Sequence, residues 1–358
     1  MDIKKIDLLK RLIEGKSISN AENILSVIDS FSVDKIILKK FKSKYAQTYV
    51  SLDNFVINNF RNSSVGGLFY TGLDFDDYTQ LIKVDKFEIN NLIFNRPSTY
   101  NIDWNEFAYL NDPRDLFLFF NSVRRISTIG YYHESKSDQF IIKVDESEVT
   151  DFKTKKIDGF SIPVSYKART KGMQISSTDN FFKNELKKLN YDELKFNAEL
   201  ILNWNTIYNI FSIDFIIGMQ SGFDLSLDVK IEDVDESLIN LVGSPDLIDS
   251  LMEDPKIKKF EISLHDKGLT NKLLNYGATN YDMTKSEFID FMIDEMQSNI
   301  MIDNSLKNDF MITVTNFIQQ PNKITFSINP LTSLSYADIS SLIGSPDILV
   351  KLLNIKIK

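Results

Sequence analysis

The sequence contains no cysteine. Disulfides, thiolate metal sites and a cysteine nucleophile are therefore excluded. His133 and His265 are the only histidines, so a histidine-rich metal centre cannot be built. Arginine is scarce as well: 7 of the 41 basic residues are arginine, and residues 201–358 have none. That half cannot supply a bidentate guanidinium clamp for a carboxylate or phosphate. With the heavy use of Ile, Asn, Lys and Phe, the lysine bias reads as AT-rich coding. Net positive charge is lacking too. Fifty acidic residues against 41 basic ones give −9, which argues against nucleic acid as the main partner, because duplex binding rests on neutralising phosphates. No window reaches the roughly 18 apolar residues of a membrane-spanning helix. The densest stretch, 207–219, is broken by Asn209, Ser212 and Asp214. The N-terminus shows neither the apolar core nor the small-residue cleavage site of an export signal.

What is present is an ordinary globular composition, 43% hydrophobic and 25% charged over 358 residues, which excludes disorder and coiled-coil classes. The first 30 residues read as helix, with Ser19-Asn20 as an internal cap. Period-two alternation then takes over. It marks strands at 33–41, 50–60, 84–94, 123–132, 141–149, 157–168, 194–204, 223–234 and 257–264. Several have the form apolar, one or two polar, apolar, polar, apolar. The cleanest is FDLSLDVKIEDV, where Phe223, Leu225, Leu227, Val229 and Ile231 face one way and Asp224, Ser226, Asp228, Lys230 and Glu232 the other. One dry and one wet face predict an antiparallel sheet covered on one side.

A second element repeats. LVGSPDLIDSLM (241–252) aligns without a gap with LIGSPDILVKLL (342–353), and LNDPRDLFLFF (110–120) is a looser copy. Ser244 and Ser345 are read as N-caps, Pro245 and Pro346 as first helical residues, and Asp246 and Asp347 as complements to the positive helix end. Gly243 and Gly344 fit the stop of a preceding helix. On this reading Leu247, Leu251, Ile348 and Leu352 point into the core. A helical insert at 266–277, 284–297 and 302–318 separates the two clear copies, with a core stripe through Phe288, Phe291, Met292, Glu295 and Met296. The fold class expected is α+β: a long curved mostly antiparallel sheet built from repeated strands, with short helices packed on one side. Two lobes are expected, 1–175 and 176–358, with the polar stretch 167–180 as linker.

Candidate chemistry is thin. His265 beside Asp266 has the make-up of a base with an orienting carboxylate, but no nucleophile motif lies near it, and a strand-end turn explains the pair. His133 is placed in a loop after a strand. The acidic runs at 72–78, 145–148 and 232–236 fit no calcium loop and read as solvated loops. SVGGLFYTG (64–72) lacks the spacing of a phosphate-binding loop and reads as a mobile loop. No catalytic, cofactor-binding or metal-binding residue is assigned, and no cofactor. The 27 Phe and 14 Tyr leave one lead, an apolar groove on the sheet suited to acyl chains.

The segments 316–342, 260–288, 194–205 and 223–234 resemble an uncharacterised alphaproteobacterial family of cell-envelope proteins over residues 190–358. NFIQQPNKITFSINPLTSLSYADISSL carries the pattern helix, Phe-x-x-x-Pro, strand, Pro, helix. FEISLHDKGL is a strand followed by an Asp-x-Gly-Leu helix, and the paired strands include Trp204. The architecture is also reminiscent of AsmA-like periplasmic proteins. The resemblance implies a periplasmic or membrane-associated setting, with signal or anchor absent from this chain; a cytoplasmic or virion location is the alternative. The function expected is a non-enzymatic envelope protein binding a protein partner or an apolar, lipid-like ligand. A virion or assembly component and a carboxylate/His hydrolase are the alternatives.

Overall fold

The computed structural model describes residues 32–61, 64–94, 120–157, 160–235, 255–299, 304–342 and 345–358. The expected helix at 1–30, the copy at 110–120 (save Phe120) and the first Ser-Pro-Asp segment lie outside them. Fourteen strands run in chain order: β1 (Val33–Tyr45), β2 (Thr48–Arg61), β3 (Ser64–Asp76), β4 (Gln80–Phe94), β5 (Phe120–Ser135), β6 (Phe140–Ile157), β7 (Phe160–Ser177), β8 (Leu194–Asn205), β9 (Ile210–Met219), β10 (Phe223–Glu232), β11 (Lys256–Asp266), β12 (Lys323–Ile328), β13 (Leu334–Ser335) and β14 (Lys356–Ile357). They hydrogen-bond in sequence order from β1 to β12 and then β14, while β13 pairs with β11. The helices are α1 (Asn180–Lys188), α2 (Leu269–Asn280), α3 (Lys285–Asn299), α4 (Asn304–Gln319), α5 (Tyr336–Ser341) and α6 (Pro346–Leu353). The α+β class with a mostly antiparallel sheet is the architecture that the alternation predicts. Two compact units are distinguished: described residues up to Lys136 with Asp145–Ala168, and Ser137–Val144 with Arg169–Lys358. All six of these described helices belong to the second.

Every strand read from alternation is a strand, but three other segments are corrected. The polar stretch 167–180 is no linker up to Ser177, because it continues β7. The Gly-rich segment 64–72 is no loop; it forms most of β3. The loop assigned to His133 is the end of β5.

The first unit explains the "one or two polar" spacing. Val65, Leu92 and Val123 form a buried cluster, with Ile57, Phe60, Leu68, Ile89, Ile126 and Phe152 packed on it. The members on each strand are three residues apart: Ile57 and Phe60, Val65 and Leu68, Ile89 and Leu92, Val123 and Ile126. A pleated strand would put such pairs on opposite faces. On two of these strands a left-handed residue inside the gap resets the alternation without an extra residue, since the register continues unshifted across it. Asn59 (φ 52°) and Asn91 (φ 51°) do so on β2 and β4, and Asn tolerates this region better than other side chains.

A second row of such breaks crosses the same unit. Gly72 and Gly130 both have φ 64°. Gly72 stands opposite Asp53, between the pairs Asn54–Thr71 and Ser51–Asp74. It stands opposite Asp85 on its other side, between Thr71–Lys86 and Leu73–Val84. A Cβ on Gly72 would lie 2.2 Å from Asp53 Oδ2, and one on Gly130 would lie 2.0 Å from Asp85 Oδ2. Glycine is required on both counts, backbone angle and space. In the second unit Gly172 (φ 61°) repeats the device, its N–H donating to Asn197 Oδ1 at 2.8 Å.

The three helices of the insert are found as expected, but the stripe is core only in part: Phe288 is buried, whereas Phe291 and Glu295 are exposed. Leu274, Ala278, Phe288 and Ile318 form one buried cluster across α2, α3 and α4, with Met292 and Met296 packed on it. The Ser-Pro-Asp helix needs correction. Ser345 is the N-cap of α6 but makes no side-chain capping bond. Ile348 and Leu352 are 51% and 43% exposed, while Leu353 is 4% exposed. The core-facing side of α6 is therefore turned by one position. The side-chain cap lies ten residues earlier in the chain's terminal segment: Ser335 accepts from Asp338 N–H, and the Asp338 carboxylate accepts from the Ser335 N–H.

Candidate functional site

In the second unit the strand registers stack like on like. One row across the sheet reads Leu200, Phe215, Leu227, Ile262, Phe326, Ile357. The next row toward the α1 end reads Ala198, Ile217, Leu225, Leu264, Ile324, and the next the other way reads Leu202, Ile213, Val229, Phe260, Ile328. Because pleating sends successive residues to opposite faces, these rows form one apolar face from β8 to β12. Its two ends are sealed. At one end Leu186 of α1, Tyr191 and Met219 are buried together, with Phe196, Phe223 and Leu269 packed on them. The Tyr191 hydroxyl donates to Ser221 O at 2.7 Å, and Lys272 Nζ lies 3.4 Å over the Tyr191 ring. At the other end Trp204 is buried and its indole N–H donates to Val234 O at 3.1 Å.

Between these ends none of the rows' described residues is buried; all are of intermediate exposure. A face covered by a second layer would bury its middle first, since sheet-on-helix contact removes nearly all water from the central rows. Leu274, Ala278, Phe288 and Ile318 of α2, α3 and α4 are buried on one another, and α4 also lies against β12 and β14. From strand spacing and rise, the three rows from β8 to β12 cover roughly 20 by 14 Å, on the order of 300 Å². Patches beyond a few hundred Å² on a protein surface mark binding sites.

The opposite face is largely polar, and several of its charges pair with one another. Lys259 bonds Asp228 and Lys258 bonds Glu232 across β10 and β11, and Lys267 Nζ lies 2.6 Å from Asp224 Oδ2. The Lys258 ammonium, then the Ser333 hydroxyl, hold the Glu232 carboxyl below its ordinary range. A polar depression of about 390 Å³ is lined by Asp224, Ser226, Ser263, His265, Asn322 and Lys323.

The two histidine leads come apart. His265 pairs with Asp224 on β10 and Lys323 on β12, on the polar face. Asp266 points the other way and caps α2, its carboxylate accepting from Gly268 and Thr270 N–H, both at 2.8 Å. Adjacent strand residues cannot form the dyad that the sequence suggests. His133 lies opposite Ile82 with its ring 6.4 Å from that of Tyr131. The acidic runs are not loops throughout. Asp74 and Asp76 are in β3 and Glu146 and Glu148 in β6, where Glu148 lies 3.0 Å from Arg125. Asp77 forms the β3–β4 turn, accepting from Thr79 and Gln80 N–H. Among the described residues no group of three acidic or histidine side chains could hold a metal ion, and no helix is long and apolar enough to cross a membrane.

Sequence reasoning found the alternating strands of this face but not β9, where Ile210 and Ile216 sit on the polar side and blur the period. No curated protein matches the chain. A family described as "Uncharacterized protein" matches residues 217–358, from the end of β9 through β10, β11, the helical cluster and the terminal α6–β14 segment.

Proposed function

We propose that this is a non-enzymatic protein that carries an apolar, lipid-like ligand on the open face of β8–β12. One observation carries the reading: the rows centred on Leu227 are apolar on every strand yet only partly buried, between two sealed ends. Water contact on a surface of this size is costly, about 25 cal/mol per Å² of apolar area, so an acyl chain lying on it would be stabilised. A flat apolar face reads chain rather than headgroup, which fits a ligand class more than a single compound. The cell-envelope setting we propose is supported by the resemblance of residues 190–358 to envelope proteins, including the AsmA-like style of sheet.

Native mass spectrometry of protein purified from its own host, followed by lipid extraction, tests this. A co-purifying acyl lipid is expected. Leu227→Asp should abolish it, with the far-ultraviolet circular dichroism unchanged. Protein that carries no lipid, and takes none up from short-chain phospholipid, would remove the reading.

A further inference from the structure

The other end of the sheet poses a separate question, independent of what the apolar face carries. β1 is an edge strand of 13 residues, VDKIILKKFKSKY, paired with β2 along its whole length. Natural edges are usually kept short, made irregular or lined with lysines, because an unpaired row of N–H and C=O groups recruits other strands. This one is long, and its apolar side chains are presented rather than hidden: Ile36 is 38%, Leu38 43% and Phe41 40% exposed. Each continues a row inside the sheet. Ile36 faces Ile57 and then Leu68, Leu38 faces Phe55 and then Tyr70, and Phe41 faces Leu52. One more strand would complete the rows.

Charge selects the occupant. β1 holds five lysines, Lys35, Lys39, Lys40, Lys42 and Lys44, in a chain of net charge −9. Its single acid, Asp34, is already paired with Arg61. A second copy laid along β1 would set lysines against lysines. The opposite edge is no better, since β14 is two residues long with Lys356 in it and Lys358 beside it. Position supplies a further criterion. Lys40 has φ 52° and lies opposite Asp53, between the pairs Lys39–Asn54 and Phe41–Leu52. It occupies the place that Gly72 holds on β3. There an aspartate stands on both sides, Asp53 and Asp85. Lys40 has an aspartate on one side only.

We propose that β1 is a docking edge for an acidic, extended segment of another protein, added to the sheet as a further antiparallel strand. Main-chain hydrogen bonds would give the affinity, and an alternation of apolar and acidic side chains would give the specificity. The segment would carry an aspartate opposite Lys40, as β2 and β4 do opposite Gly72.

Fluorescence anisotropy on the full chain tests this. The probe is a synthetic peptide as long as β1, alternating valine and glutamate, with aspartate in the Lys40 register. Saturable binding is expected, weaker by about tenfold or more when lysine replaces glutamate in the peptide, since opposed like charges reject a partner. N-methylation of alternate peptide amides should abolish binding. Lys39→Glu, Lys42→Glu and Lys44→Glu together should invert the preference toward the lysine peptide, with unchanged circular dichroism. No binding to the full chain would overturn the proposal. So would indifference to N-methylation, or equally tight binding of a scrambled peptide, of duplex DNA or of anionic vesicles.

Discussion

Single residues decide where these strands break step. Gly72 is held at φ 64° with Asp53 across it, and a Cβ there would meet the carboxylate at 2.2 Å. Gly72→Ala should therefore destabilise the protein by about 1–3 kcal/mol, as strained left-handed positions do, with a lower midpoint in urea as the readout. Ala at Gly67, whose Cβ would find its nearest neighbour at 3.8 Å, is the control and should cost far less. Charged residues on the polar face act more weakly. Glu232 is held below the usual carboxylate range by Lys258 and then Ser333. Its contribution is present above the unfolded-state pKa of about 4.3 and is lost as pH falls through the lower folded value. Glu232→Gln should thus cost up to about 1 kcal/mol at pH 7, the scale of a partly exposed pair. Urea titrations of both proteins should converge as pH falls to the acid side of that transition.

At the scale of elements, capping and packing have to be told apart. Ser335 shares a reciprocal pair of bonds with Asp338, so Ser335→Ala should cost about 1 kcal/mol. Ser345 makes no such bond, and Ser345→Ala should change stability by no more than a few tenths. On α6, Leu353→Ala should cost about 2–5 kcal/mol as a buried leucine, whereas Leu352→Ala should stay within about 0.5 kcal/mol. Thermal melts of the four variants check the pattern; equal losses at Leu352 and Leu353 would contradict the observed face. The start of α6 was legible because Ser-Pro-Asp is a local signal. Its buried side was not, because the roll of an eight-residue helix is set by what it docks on. The strand β3 escaped notice for a related reason. Its glycines read as a loop in isolation, and only the neighbouring aspartate shows why they are in a strand. The His265–Asp266 pair could have been discounted earlier, since the strand period already separates their faces.

For the molecule as a whole, the unusual feature is an apolar face that stays only partly buried among the described residues while the protein keeps specific side-chain packing at both of its ends. The native protein should accordingly enhance the fluorescence of an apolar dye while retaining its near-ultraviolet circular dichroism, a combination that separates a formed binding face from a molten state. Added short-chain phospholipid should displace the dye. The sequence alone determined the chemistry that is ruled out, the alternation that makes most of the strands, and the amphipathic insert. These are properties of a residue and its near neighbours, and backbone sterics read them locally. Tertiary structure decided the rest: that Asp53 meets Gly72, that Lys40 is left with one acidic neighbour, and that Leu227 lies at the centre of a face only partly buried among the described residues. A strand's period says which residues share a face, but hydrogen-bonded register between strands distant in the chain chooses which rows line up and what remains open to water.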